Sequence, residues 1–266
     1  MAESTDIPSA DPKARFSDRV ADYARCRPGY PLAARGAILD GLGPYPDLEV
    51  ADVGAGTGIS SHFLAGAADQ PGPVVHAIEP NAAMRSSAQP HPRITWRDGS
   101  GETTGLPDSC VDVVVCAQAF HWMRAEEAMR EFARVLRRRA PSGARGRVAL
   151  VWNVHDDADA FVREYRRVML AHAKDPPKSP WATQEHVAIA SSVLFTNYRL
   201  VRFPYEQRFD ETGLIGRATS SSYVPREGEA FESMKRDLSA VFRKYQKEGR
   251  VTMPYRTEIH LAEVAS

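Results

Sequence analysis

The sequence predicts an α/β fold in which a doubly wound, mostly parallel sheet of seven strands carries helices on both faces. Three observations predict it. Short apolar runs alternate with helical stretches, the pattern left by parallel strands joined through right-handed crossovers. The first of these runs empties into a loop with glycine at alternate positions. The second ends in a carboxylate about twenty residues further on, where such sheets place a ligand-binding acid.

Residues 1–14 lack large apolar side chains and read as a disordered tail; residues 15–266 read as one domain. Phe16, Val20 and Tyr23 mark one face of a helix over Phe16–Ala24 that stops at Arg27-Pro28-Gly29-Tyr30-Pro31. Pro31 opens a second helix, which runs to Gly41-Leu42-Gly43-Pro44. Strands are expected at Leu48–Val53, Val74–Ile78, Ile94–Trp96, Val111–Ala117 and Arg147–Trp152. A helix over Ala125–Arg137 is striped by Ala128, Phe132, Val135 and Leu136. Beyond Trp152 the pattern gives helices at Ala158–Ala173 and Trp181–Phe195, a sixth strand at Tyr198–Phe209, a long amphipathic helix at Glu227–Glu248 and a strand at Val251–Leu261. Residues 158–197 read as an insertion after the fifth strand that caps a substrate.

The chain has 266 residues, 43% of them hydrophobic, with 34 basic and 34 acidic side chains. A formal net charge of zero argues against the overall positive field used to hold nucleic acid. Cys26, Cys110 and Cys116 are too few and scattered for a disulfide framework, and the histidines lack zinc-ligand spacing. No leader and no apolar run of about 18 residues is present, so a cytoplasmic protein without a membrane partner is expected. The oligomeric state is open.

Chemistry concentrates in Asp52-Val53-Gly54-Ala55-Gly56-Thr57-Gly58, followed by Glu79 at the end of the second strand. A loop poor in side chains lets a ligand reach backbone N–H groups, and a carboxylate chelates a ribose diol. The Gly-x-Gly-x-Gly spacing differs from the Gly-x-Gly-x-x-Gly of a pyrophosphate site, favouring a nucleoside without phosphates over NAD or FAD.

These residues resemble the first motif of class I S-adenosylmethionine-dependent methyltransferases, with a Rossmann-like fold. The chain is similar in particular to the type 11 group that includes trans-aconitate methyltransferase-like enzymes. Phe16–Pro31, Gly99–Pro107 and Ala117-Gln118-Ala119-Phe120-His121-Trp122 carry that likeness, which covers roughly residues 16–155 and continues loosely through Val151-Trp152-Asn153 and Arg208-Phe209. The resemblance implies that the last strand is antiparallel and that the N-terminal helices form a lid. It implies S-adenosyl-L-methionine as cofactor, with Gly54, Gly56 and Gly58 along its methionine part, Asp52 near the ammonium and Glu79 on the ribose. Gln118 falls beside the methionine moiety. Where relatives carry an acid for the adenine this chain has Ser100, with Asp98 two places earlier, so backbone groups at Ser100 and Gly101 take that place.

Methyl transfer from a sulfonium needs alignment and exclusion of water; a base is required only when the acceptor must lose a proton. His121 is the candidate base, its other reading being a ring that packs beside the cofactor. Tyr23, Arg27, Tyr30, Trp122 and Asn153 are candidate lid or substrate contacts, Arg27 toward an anionic substrate or the methionine carboxylate. His155 with Asp156 and Asp157 reads as a solvated loop and helix cap, and Arg137, Arg138, Arg139, Arg145 and Arg147 as a solvated basic helix end. The expected partner is a small molecule, with a carboxylate or hydroxyl as preferred acceptor. The rival readings are an NAD-linked oxidoreductase, a catalytically silent cofactor-binding protein that regulates or scaffolds a partner, and a methyltransferase acting on tRNA or protein.

Overall fold

A computed structural model describes residues 26–67, 69–140, 142–174 and 185–266. The expected tail and the helix over Phe16–Ala24, with Tyr23, lie outside the described residues.

Seven strands form one sheet: β1 (Glu49–Val53), β2 (Val74–Ile78), β3 (Ile94–Arg97), β4 (Val113–Ala117), β5 (Arg147–His155), β6 (Phe195–Phe209) and β7 (Val251–Val264). Their order is β3-β2-β1-β4-β5-β7-β6. The first five strands pair in parallel. β7 is wedged between β5 and β6 and runs antiparallel to both, so the last strand alone opposes the others, as the resemblance implied.

The helices are α1 (Leu32–Leu39), α2 (Ile59–Ala65), α3 (Ala82–Ser87), α4 (Ala125–Val135), α5 (Ala160–Ala171), α6 (Glu185–Ser191), α7 (Glu211–Thr219) and α8 (Gly228–Tyr245). β4 shows why the sheet is buried on both sides. Val113 and Val115 face one apolar layer with Ile38, Leu39 and Leu64, while Val114 and Cys116 face another with Phe120, Phe132 and Leu136. A third apolar cluster joins α5, α7 and α8 to the far ends of β6 and β7, through Tyr165, Leu214, Leu238, Met253 and Tyr255. Three helices start on side-chain caps: Asn81 on α3, Asp159 on α5 and Asp210 on α7.

Several expectations need correction. The strand expected from Val111 begins at Val113, because the buried Asp112 carboxylate instead receives the Glu49 N–H and the Arg137 guanidinium. The helix expected over Trp181–Phe195 is Glu185–Ser191 where it is described, and Phe195 already pairs with Val264 in the sheet. A register shift between Thr196 and Arg199, with Asn197 at φ 54°, hides the start of that strand from a period-two pattern. α7 went unpredicted because Gly213 and Gly216 weaken its helical signal, although Asp210 supplies a cap. The elements of residues 158–197 pack in two places. α5 joins the cluster of α7 and α8, while Ile189 of α6 joins the cluster of α4.

Of the basic segment expected to be a solvated helix end, Arg138 and Arg139 are exposed, but Arg147 and Arg137 are not free in solvent. Arg147 is buried, and its Nη1 donates to the carbonyls of Ile38 at 2.8 Å and Asp40 at 3.2 Å, closing the end of α1. Arg137 pairs at 2.8 Å with the fully buried Asp112.

Candidate active site

The site lies at the carboxyl ends of β1, β4 and β5. The N–H groups of Gly54 and Ala55 both donate to the Ile78 carbonyl, which ties the loop after β1 to the end of β2. Gly54 has φ 73°, and a Cβ there would lie 2.5 Å from that of Ala119, so both conformation and space require glycine. Asp52 is fully buried and accepts from Ser60 Oγ at 2.7 Å and Ser61 Oγ at 2.5 Å, holding the first turn of α2 against β1. Burial pushes its pKa up to about 6 against the opposing effect of the two hydroxyls.

Glu79 braces the loop from the other side. Its Oε2 accepts the Gly56 N–H and its Oε1 the Asn81 N–H, each at 2.9 Å. Burial raises its pKa and these two donors oppose the rise. Gly101 packs against Met123, where a Cβ would lie 2.2 Å from the sulfur, and Met123 also reaches toward Gly54. That methionine thus keys the Ser100–Gly101 loop to the glycine loop, a contact that carries no sequence signal.

A cavity of about 250 Å³ opens beside this loop. Among the predicted site residues, Arg27, Tyr30, Gly54, Gly56, Gln118, His121, Trp122 and Asn153 line it. Asp52, Gly58, Glu79, Ser100 and Gly101 do not; the last three follow β2 and β3, on the other side of the loop. Gln118 leaves β4 at φ 58°, a left-handed conformation rare for its type, held by its N–H on the Val151 carbonyl at 2.8 Å.

His121 sits in the 3₁₀ turn Phe120–Trp122, its ring 5.0 Å from that of Trp122. Burial, reinforced by Arg27, pushes its pKa down to about 4. Asn153 joins three elements: its amide nitrogen donates to the Gly29 carbonyl at 2.9 Å and its oxygen accepts from Thr257 Oγ1 at 2.6 Å. Arg27 donates to the Ser220 carbonyl at 2.9 Å, and Gln207 to that of Cys26 at 3.2 Å, so the entry segment is stitched to the sheet and to α7.

His155 is not a loop residue. It ends β5 with its ring between Tyr255 and Tyr165, at 5.0 and 6.0 Å, and burial pushes its pKa down to about 3. The helix cap there is Asp159.

Sequence reasoning missed the far wall: Tyr165, Arg166, Arg217 and Tyr223 line the same cavity from α5, α7 and the loop after it. Arg166 meets both oxygens of Asp157 at 2.5 Å. Arg217, on the unpredicted helix, is 7% exposed and donates to Tyr255 Oη at 3.3 Å. Among the described residues no group of three or more His, Cys, Asp or Glu is placed to hold a metal ion, and no helix is long and apolar enough to cross a membrane.

Residues 51–140, which hold the glycine loop, Glu79 and His121, match the family model described as a methyltransferase domain. Over that stretch the chain is similar to methyltransferases, and the solved structures that share its fold carry the same description. It is 26% identical over 261 residues to an uncharacterised methyltransferase-like protein of Schizosaccharomyces pombe, covering 97% of this chain and 96% of that one. It is 36% identical over 155 residues to an uncharacterised methyltransferase of Mycobacterium tuberculosis, spanning 58% of each. Among solved structures, a candidate type II methyltransferase from Anaeromyxobacter dehalogenans aligns with TM-score 0.57 at 25% identity, over 89% of this chain and 95% of that one. A candidate methyltransferase of an antibiotic biosynthesis pathway from Anabaena variabilis shares the fold, with TM-score 0.57 at 22% identity over 86% and 95% of the two chains.

Proposed function

We propose that this methyltransferase uses S-adenosyl-L-methionine and transfers its methyl group to a small molecule enclosed in the cavity beside the glycine loop. The observation that carries the reading is the loop itself: Gly54 admits no side chain, and the carboxylate of Glu79 stands behind Gly56. Gly54, Gly56 and Gly58 would face the methionine part, Glu79 the ribose hydroxyls, Ser100 and Gly101 the adenine, and Gln118 the amino-acid end. Bound there, the cofactor supplies an electrophilic carbon on a sulfonium.

The protein's part is alignment and exclusion of water. Trp122 and Tyr30 wall the cavity near the loop, and Asp52 positions α2 without entering it. His121, its pKa near 4, is neutral at physiological pH and able to accept a proton from a hydroxyl or amine acceptor. A carboxylate acceptor leaves it as a packing residue. A cavity walled by α5 and α7 suits a small acceptor better than a protein surface.

Calorimetric titration with S-adenosylmethionine and S-adenosylhomocysteine tests the reading. Both bind the wild type, and Glu79→Ala weakens them by roughly 1.5–3 kcal/mol through loss of charge-assisted hydrogen bonds. Absence of binding to the folded wild type overturns the reading.

A further inference from the structure

Several arginines of this fold are matched. Arg134 has Glu131 and Asp108, Arg137 has Asp112, Arg147 has three carbonyls, and Arg166, on the cavity wall, has both oxygens of Asp157. Arg217 is the exception on that wall. It keeps its charge at any working pH, is 7% exposed, and lies within ion-pair distance of no carboxylate among the described residues. Among the described residues its hydrogen-bond partner is the neutral hydroxyl of Tyr255. Among the described residues, two further shielded polar atoms at this end of the cavity have no hydrogen-bond partner: the Tyr165 hydroxyl and His155 Nε2. A shielded cation without a counter-charge, beside unused donors and facing a cavity, is a built site for an anion.

The site stands apart from the glycine loop. Tyr255 belongs to β7, and the strand order β1-β4-β5-β7 puts three interstrand steps between β7 and the loop after β1, roughly 14 Å at the usual spacing. We infer that Arg217 anchors an anionic head group of the methyl acceptor, a carboxylate or another small oxyacid, with Tyr165 and His155 as its neighbours. The atom that receives the methyl group then lies at the other end of the molecule, toward Gln118 and His121. The anchored anion is a handle: its charge is spent on Arg217 and it stands away from the reacting carbon. His155 suits that role as a neutral ring, because the cations of Arg217, Arg166 and Arg27 around it add to the effect of burial in keeping it unprotonated. Asp157, the only carboxylate on that stretch of wall among the described residues, is occupied by Arg166 and does not compete.

This inference rests on the methyl-transfer reading above, and its test separates the two. The protein is first saturated with S-adenosylhomocysteine, then titrated calorimetrically with succinate, benzoate and inorganic phosphate, and with succinamide and benzamide as neutral controls. At least one of the anions binds and the neutral amides do not. Arg217→Met weakens that anion by about thirtyfold or more while leaving affinity for S-adenosylhomocysteine within about twofold. Without ligand, Arg217→Met melts above the wild type, since an unmatched buried charge is replaced by an apolar chain of similar length. Arg217→Lys, which keeps the charge and loses the planar fork, weakens the anion several-fold and serves if the methionine variant fails to fold. Equal binding of acids and amides, absence of anion binding, or a lower melting temperature for Arg217→Met overturns the inference. So does a loss of S-adenosylhomocysteine affinity in Arg217→Met, which would make the cofactor's own carboxylate the partner of Arg217. Failure of S-adenosylhomocysteine to bind the wild type instead defeats the methyl-transfer reading itself.

Discussion

At the scale of single residues, the site is a set of buried titratable groups whose environments oppose one another. His121 and His155 are held neutral, with pKa values near 4 and near 3 in place of about 6.5. The unfolded chain therefore binds more protons than the folded one between these values, and stability rises with pH through that window. Asp52 has the opposite sign: its pKa near 6 makes its contribution greatest in acid and lost as pH rises through about 6. Two histidines outweigh one carboxylate, so urea unfolding should show the protein losing on the order of a few kcal/mol as pH falls from about 6.5 to about 4. His155→Phe should flatten that dependence, and an unchanged slope would mean that His155 gains a proton in the folded state as easily as outside it. Glu79, Gly54 and Gln118 could be singled out as candidates in the sequence because each follows the end of a strand, where parallel sheets bind ligands. Arg217 was not, because a lone arginine in a glycine-containing stretch gives no hint that a tyrosine from a strand far along the chain shields it.

At the scale of elements, the five strands predicted between Leu48 and Trp152 are observed with their bounds shifted by a few residues, since apolar runs between glycine breakers are a local signal. The errors fall where a long-range contact decides. Asp112, adjoining the clearest apolar run in the sequence, is fully buried with its carboxylate shared by the Glu49 N–H and Arg137. Arg137→Met leaves that carboxylate buried with one backbone donor, and should cost about 3 kcal/mol in denaturant unfolding. A loss below about 1 kcal/mol would show that water reaches Asp112. α7 was missed for a related reason: its propensity is low, and Leu214 and Ala218 fold it by packing into the cluster of α5 and α8.

At the scale of the whole molecule, Asn153 binds the entry segment, β5 and β7 into one wall. Asn153→Ala should leave the melting temperature within a few degrees of the wild type while hydrogen exchange quickens around Gly29 and Tyr30. Unchanged exchange there would show that Arg27 and Gln207 suffice to hold the segment. The placement of β7 has a consequence for how the molecule comes together. β1, β2 and β3 join through crossovers between sheet neighbours, as do β4 and β5, whereas β7 must enter a gap between β5 and β6, pairing Arg147 with Glu263 across more than a hundred residues. Closing so long a loop is slow, and its entropy must be met before its contacts form. The two ends of the cavity therefore have separate histories: the glycine loop belongs to the part that assembles early, and the surroundings of Arg217 and Tyr255 exist only once β7 has zipped into place.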